Sequence, residues 1–208
     1  HLQFQSFFYI PSLRKTDSFC SLQIVIGLFV CLSINCHSKY FDLNTNKENE
    51  FFINNSSKEL NLLYVHLLCN MNFVRYILRS LFTDSSTWLF RIEYIVTYHT
   101  YLALNDLKNH SDNNDDISLE KTSIEEILEF GKPLFQSKFR NCMMHYDLAG
   151  YDVLSREYIK CPFYGIVETC FEGKNYHSYL AELRSLSDMI IDSLENRFDF
   201  SKIILQEL

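Results

Sequence analysis

Backbone breakers are scarce in this chain, with five glycines and three prolines among 208 residues. Turn-rich β folds need both types often, at sharp reversals and positive φ. The scarcity argues against an all-β fold and for long uninterrupted elements. Between the breaks, apolar residues recur at helical spacing. Over residues 57–82, Leu60, Leu63, Tyr64, Leu67, Leu68, Met71, Val74, Leu78 and Leu81 fall mostly on one helix face. Thr83-Asp84-Ser85-Ser86 breaks this helix, and Ser85 or Ser86 can cap the next. That one runs over residues 87–107, with Leu89, Ile92, Ile95, Val96, His99, Leu102 and Leu104 as a broad apolar stripe. His66 and His99, lying within these stripes, read as hydrogen-bonded core or boundary histidines rather than ligands.

Ser123-Ile124-Glu125-Glu126 has the form of a capping box, a serine cap with glutamate three residues later, so a helix is expected from Ser123. Gly131-Lys132-Pro133 interrupts it, because proline cannot donate the helix bond and disfavours helix before it. Pro133 suits the first turn of a new helix over residues 134–147, closed by Ala149-Gly150. Residues 151–175 are mixed, with Cys161-Pro162, Gly165 and Gly173 as punctuation, and fit short helices or a covering loop. The last long helix covers residues 176–198, with Leu180, Leu183, Leu186, Met189, Ile190 and Leu194 on one face. The expected architecture is an all-α helical bundle of four to five long helices, one domain over residues 18–208 behind an N-terminal extension over residues 1–17.

Apolar residues make up 47% of the chain, enough for a real core. The formal net charge of −7 excludes a general polyanion binder, so any nucleic-acid contact needs a local basic patch. Seven cysteines without CxxC spacing read as reduced thiols of a cytoplasmic protein, and neither a metal site nor a cofactor is expected. Residues 109–121 are acidic and Asn-rich but lack the central glycine of a calcium loop, and read as a solvated linker. Residues 18–36 carry no charge and follow Arg14 and Lys15, the pattern of a marginal membrane span. Ser21, Gln23, Gly27, Ser33 and Asn35 interrupt them, and Leu22, Val25, Ile26, Phe29 and Leu32 also suit a buried helix, the preferred reading. The chain starts at His1, and Leu2-Gln3-Phe4-Gln5-Ser6 looks like the remnant of a tag-removal site.

One stretch suggests a specific chemistry: Lys138-Phe139-Arg140-Asn141-Cys142-Met143-Met144-His145-Tyr146-Asp147. Asn141 and His145, four apart, share a helix face. Arg140 and His145 are five apart, about 140° round the helix, and converge only if the flexible arginine reaches across, if the helix ends near His145, or if a second chain contributes the partner. Phe139, Met143 and Cys142 can face the bundle while Asn141 and His145 face out. Such a trio suits phosphodiester cleavage without a metal. A histidine can move the proton of a ribose 2′-hydroxyl or of the leaving oxygen, and an arginine can hold the phosphate and its growing charge. Asn141 can fix the histidine tautomer or bond the phosphate. A purely structural reading stands beside this: Arg140 paired with Glu129 or Asp147, and His145 favourably placed at a helix C-terminus.

Phe-Arg-Asn-Cys-Met-Met-His-Tyr, set on a late helix of an all-α bundle, resembles the signature of the HEPN superfamily (higher eukaryotes and prokaryotes nucleotide-binding). The resemblance implies a metal-independent endoribonuclease of the kind found in toxin–antitoxin, CRISPR-linked and phage-defence systems. It implies a homodimer in which the two motifs form one site, RNA as substrate, and an inhibitor or antitoxin protein as a further partner. Carried over to this chain, Arg140 and His145 are the catalytic pair and Asn141 the supporting polar residue. Lys132, Lys138, Arg156 and Lys160 supply the local basic patch for RNA. Some members of the superfamily act instead as non-catalytic dimerisation or partner-binding modules, which is the alternative function.

Overall fold

A computed structural model describes residues 52–53, 57–113, 121–145 and 160–199. Expectations for residues 1–17 and 18–36, for Tyr146, Asp147 and Arg156, and for most of the 109–121 linker lie outside them. The described residues are helical and contain no strand; one isolated antiparallel bridge joins Phe52 to Phe198. None of their helices is long and apolar enough to cross a membrane.

Helix α1, Lys58–Asn72, starts where the Ser57 side chain accepts from the Leu60 amide. It runs through a π-helical turn, Phe73–Leu78, into the short α2, Arg79–Leu81. The amide of Arg79 reaches back to the Val74 carbonyl, the wide closure of a π turn. Tyr64, Leu68, Met71, Val74 and Leu78 are buried as the periodicity predicts, but Leu81, at the end of the stripe, is 70% exposed.

Helix α3, Thr87–Asn113, extends six residues beyond the expected end at Leu107. Ser86 caps it, accepting from the Leu89 amide. Its buried face is also rotated from the expected one. Leu89 and Leu104 of the expected stripe are buried, but so are Phe90, Tyr94, Tyr98 and Leu107, whereas Ile92, Ile95, Val96 and Leu102 are only half-buried and His99 is exposed. Aromatic rings carry more buriable area than aliphatic side chains, so the rings take the core.

Helix α4, Lys121–Gly131, begins before Ser123, so the serine is not the cap the sequence suggests. Its hydroxyl donates to Ser193 Oγ across the bundle, 3.1 Å away. Gly131 is the last residue of α4 and nothing larger fits there: a Cβ would lie 2.7 Å from the Tyr101 ring and 3.1 Å from Leu186. Pro133 sits in a 3₁₀ turn, Lys132–Leu134, and α5, Ser137–His145, starts three residues after the expected Leu134. Beyond a second 3₁₀ turn, Pro162–Gly165, come α6, Ile166–Cys170, and α7, Tyr176–Glu195. A reciprocal capping box between Asn175 and Ser178 starts α7, which ends three residues before the expected Phe198.

The core lies between α1, α3, α4 and α7, with α5 packed on α3 and α6. Phe90 is the ring where these elements meet. Its centroid lies 6.3 Å from Phe139 of α5, 5.7 Å from Phe163, 4.9 Å from Tyr176 and 5.9 Å from Tyr179 of α7.

Candidate functional site

Helix α5 is fixed by three side chains at i, i+3 and i+4: Phe139, Cys142 and Met143 are all buried. Phe139 sits in an aromatic cage, 5.2 Å from Tyr94, 5.0 Å from Phe171 and 5.1 Å from Tyr179 between ring centroids. That anchoring sets the rotation of the helix. Arg140, Asn141 and Met144 come to lie at its half-buried flanks, and Lys138 and His145 are exposed.

The Arg140 guanidinium reaches α3, where Nη1 donates to the Tyr98 hydroxyl at 3.4 Å and Nη2 donates to Asn141 Oδ1 at 3.3 Å. The bond to Tyr98 raises the arginine's pKa above its ordinary value, so the group is a cation throughout the useful pH range. Tyr98 is held in turn, stacked on Tyr94 at 6.1 Å with 10° between ring planes and packed on Phe135 at 5.1 Å. These bonds replace the expected pairing of Arg140 with Glu129. They also give Asn141 a definite task, because its oxygen steadies the arginine.

Arg91 was not legible as part of this region. It is buried on α3, and its Nη2 donates 3.3 Å to the carbonyl of Met144. That carbonyl lies directly before His145, so Arg91 ties α3 to the segment of α5 that carries the histidine. Burial pushes the Arg91 pKa down, yet it remains a cation. Of the expected basic patch, Lys132, Lys138 and Lys160 are exposed, and Lys132 and Lys138 lie on the same α4–α5 segment as Arg140.

A second charged cluster lies between α2, α3 and α7. Glu93, its side chain 1% exposed, accepts from Arg79 Nε at 2.7 Å and from Arg184 at 3.1 and 3.2 Å. Arg184 also reaches Asp84 Oδ1 at 2.7 Å, and the Tyr176 hydroxyl donates to the Asp84 carbonyl at 3.0 Å. Burial disfavours the Arg184 charge, but its bonds to Asp84 and Glu93 outweigh this and raise its pKa. The same hydrogen bond from Arg184 lowers the Asp84 pKa. Two carboxylates against two guanidiniums make this a neutral staple that ties the α2–α3 turn to α7. The sequence hint was a charged residue inside the buried face of α3, which became visible only once that face was correctly placed.

Among the described residues Cys69, Cys142, Cys161 and Cys170 form no disulfide, and no group of three or more His, Cys, Asp or Glu could hold a metal ion. Comparison with protein-family models, with curated proteins and with solved structures finds no match for this chain. Fold and site together define an all-α protein that carries an Arg-Asn pair and an exposed histidine on one short, firmly anchored helix.

Proposed function

We propose that this chain is a metal-independent endoribonuclease of the HEPN type, acting as a cytoplasmic homodimer in a toxin–antitoxin or phage-defence setting. The observation that carries the reading is the fixed Arg140: a cation tied to Tyr98 and Asn141, on the helix whose last residue is the exposed His145. In the proposed reaction the ribose 2′-oxygen attacks the adjacent phosphorus and the 5′-oxygen leaves, producing a 2′,3′-cyclic phosphate. His145 moves the proton, as base toward the 2′-hydroxyl or as acid toward the leaving oxygen. Arg140 stabilises the charge that builds on the non-bridging oxygens. Arg140 and His145 point about 140° apart on one helix, so two copies of α5 complete the site across a two-fold axis. Lys132, Lys138 and Lys160 would meet the RNA backbone, with Arg156 the fourth expected contact, which lies outside the described residues, and an antitoxin protein would bind over the site. Incubation of single-stranded RNA with the protein in EDTA, followed by end analysis, tests the reading. His145→Ala and Arg140→Ala abolish the cleavage it expects.

A second reading, a non-catalytic dimerisation or partner-binding module of the same fold, is favoured by a separate observation. Leu81, Phe82 and Trp88 flank the α2–α3 turn with 70%, 44% and 64% of their surface exposed. Exposed apolar groups of this size suit a protein partner better than RNA. Intact RNA at high protein concentration, with a dimer present, would select that reading.

A further inference from the structure

The turn before α6 holds three consecutive residues in the left-handed region: Phe163 at φ 53° and ψ 34°, Tyr164 at φ 54° and ψ 29°, and Gly165 at φ 69° and ψ 18°. Among the described residues, Phe163 and Tyr164 are the only non-glycines with positive φ. The left-handed region brings Cβ against the backbone carbonyl, so aromatic residues seldom adopt it. Phe163 has a packing reason to do so, since its ring meets Phe90 edge-on at 5.7 Å. Tyr164 has none of that kind: its side chain is 59% exposed, and its amide donates to the Cys161 carbonyl at 3.1 Å, closing the turn. The strain at Tyr164 is therefore not offset by burial of its ring.

The position of that ring is defined by α3. Phe90 carries Phe163, and the next residue, Arg91, donates to the Met144 carbonyl at the end of α5. Neighbouring residues of one helix thus hold the strained turn and the end of α5 that bears His145. Helix α6, which leaves the turn, packs on α5 as well. Lys160, four residues before Tyr164, is exposed.

Resting on the ribonuclease reading, we infer that Tyr164 is a base-stacking residue of the RNA track, its ring against a nucleobase of the strand whose phosphate lies at Arg140 and His145. Every base has a π face, so such a contact adds affinity without demanding a sequence, and Lys160 meets the backbone beside it. The test uses the full chain and a fluorescein-labelled 2′-O-methyl RNA of mixed sequence, which lacks the attacking hydroxyl and is bound without being cut. Fluorescence anisotropy should show Tyr164→Phe binding within about twofold of wild type, and Tyr164→Ala and Tyr164→Gly binding roughly tenfold more weakly. Thermal unfolding supplies the control. Tyr164→Gly relieves the left-handed strain and leaves Tm unchanged or higher, whereas a tyrosine kept for the fold alone would give a lower Tm. Wild-type affinity in the alanine and glycine variants overturns the inference, and if His145→Ala still abolishes cleavage the ribonuclease reading survives that failure. A wild-type chain that does not bind the RNA overturns both.

Discussion

Replacing Glu93 with glutamine removes one negative charge from the staple while keeping its shape. The side chain is 1% exposed, and Arg79 and Arg184 retain 19% and 23% of theirs. Breaking a buried ion pair from one side costs about 3–5 kcal/mol, because the partner's charge stays desolvated. Here both arginines keep a path to water and Arg184 still has Asp84, which places the loss at the low end, about 3 kcal/mol. For a chain of this size that is a fall in Tm of roughly 6–12 °C. Thermal and urea unfolding followed by circular dichroism measure it, with the urea slope unchanged if the denatured state is unaffected. Glu125→Gln is the control: it is exposed and its partner Lys108, 3.1 Å away, is half-buried at the surface, and such surface pairs contribute about 0–1 kcal/mol. A Glu93→Gln protein within about 0.5 kcal/mol of wild type would refute the argument that this carboxylate ties α2, α3 and α7 together.

Three further outcomes follow from single contacts. Tyr98→Phe keeps the ring stack but removes the hydroxyl that accepts from Arg140, so RNA cleavage should fall about tenfold, as expected for one lost hydrogen bond to a charged group, with Tm nearly unchanged. Gly131→Ala drives a methyl group into Tyr101 and Leu186 and should cost about 1–3 kcal/mol in urea unfolding. The Arg184 bond lowers the Asp84 pKa below its unfolded value, so its stabilisation is present at neutral pH and is lost as pH falls from about 3.8 through the lowered value. Asp84 is 65% exposed on its side chain, so the stability gap between wild type and Asp84→Asn should be small at pH 7, on the order of 0.5 kcal/mol, and should close in acid, as urea unfolding at both pH values would measure.

The helical class, the α1 and α7 faces and the break at Gly131 were legible because each rests on local pattern: 3.6-residue spacing, or a residue that cannot continue a helix. The rotation of α3 was not. Its aliphatic residues form a stripe of their own, of which Leu89 and Leu104 are buried, and only the packing against Phe135, Phe139 and Tyr179 shows that the ring face is buried as well. With that face misplaced, Glu93, Arg91 and Tyr98 could not be recognised as partners of Arg184, Met144 and Arg140, contacts that span 42 to 91 residues of sequence. Ser123 had the right chemistry for a cap, but the helix began two residues earlier and its hydroxyl was used between helices. The π turn at Phe73–Leu78 has no sequence mark that periodicity could read. Within α5, the alternation of Phe139, Cys142 and Met143 against Asn141 and His145 was readable from spacing alone, and it is what places the motif at the surface.

The central claim is that Arg140 and His145 cut RNA. The most direct measurement is single-stranded RNA incubated in EDTA with the wild-type chain, Arg140→Ala and His145→Ala, each checked for folding and dimerisation. The account predicts 2′,3′-cyclic phosphate ends from wild type and a loss of roughly 10²–10⁴-fold on removing His145. RNA left intact by folded, dimeric wild-type protein, or a His145→Ala variant that cuts as fast, would contradict it.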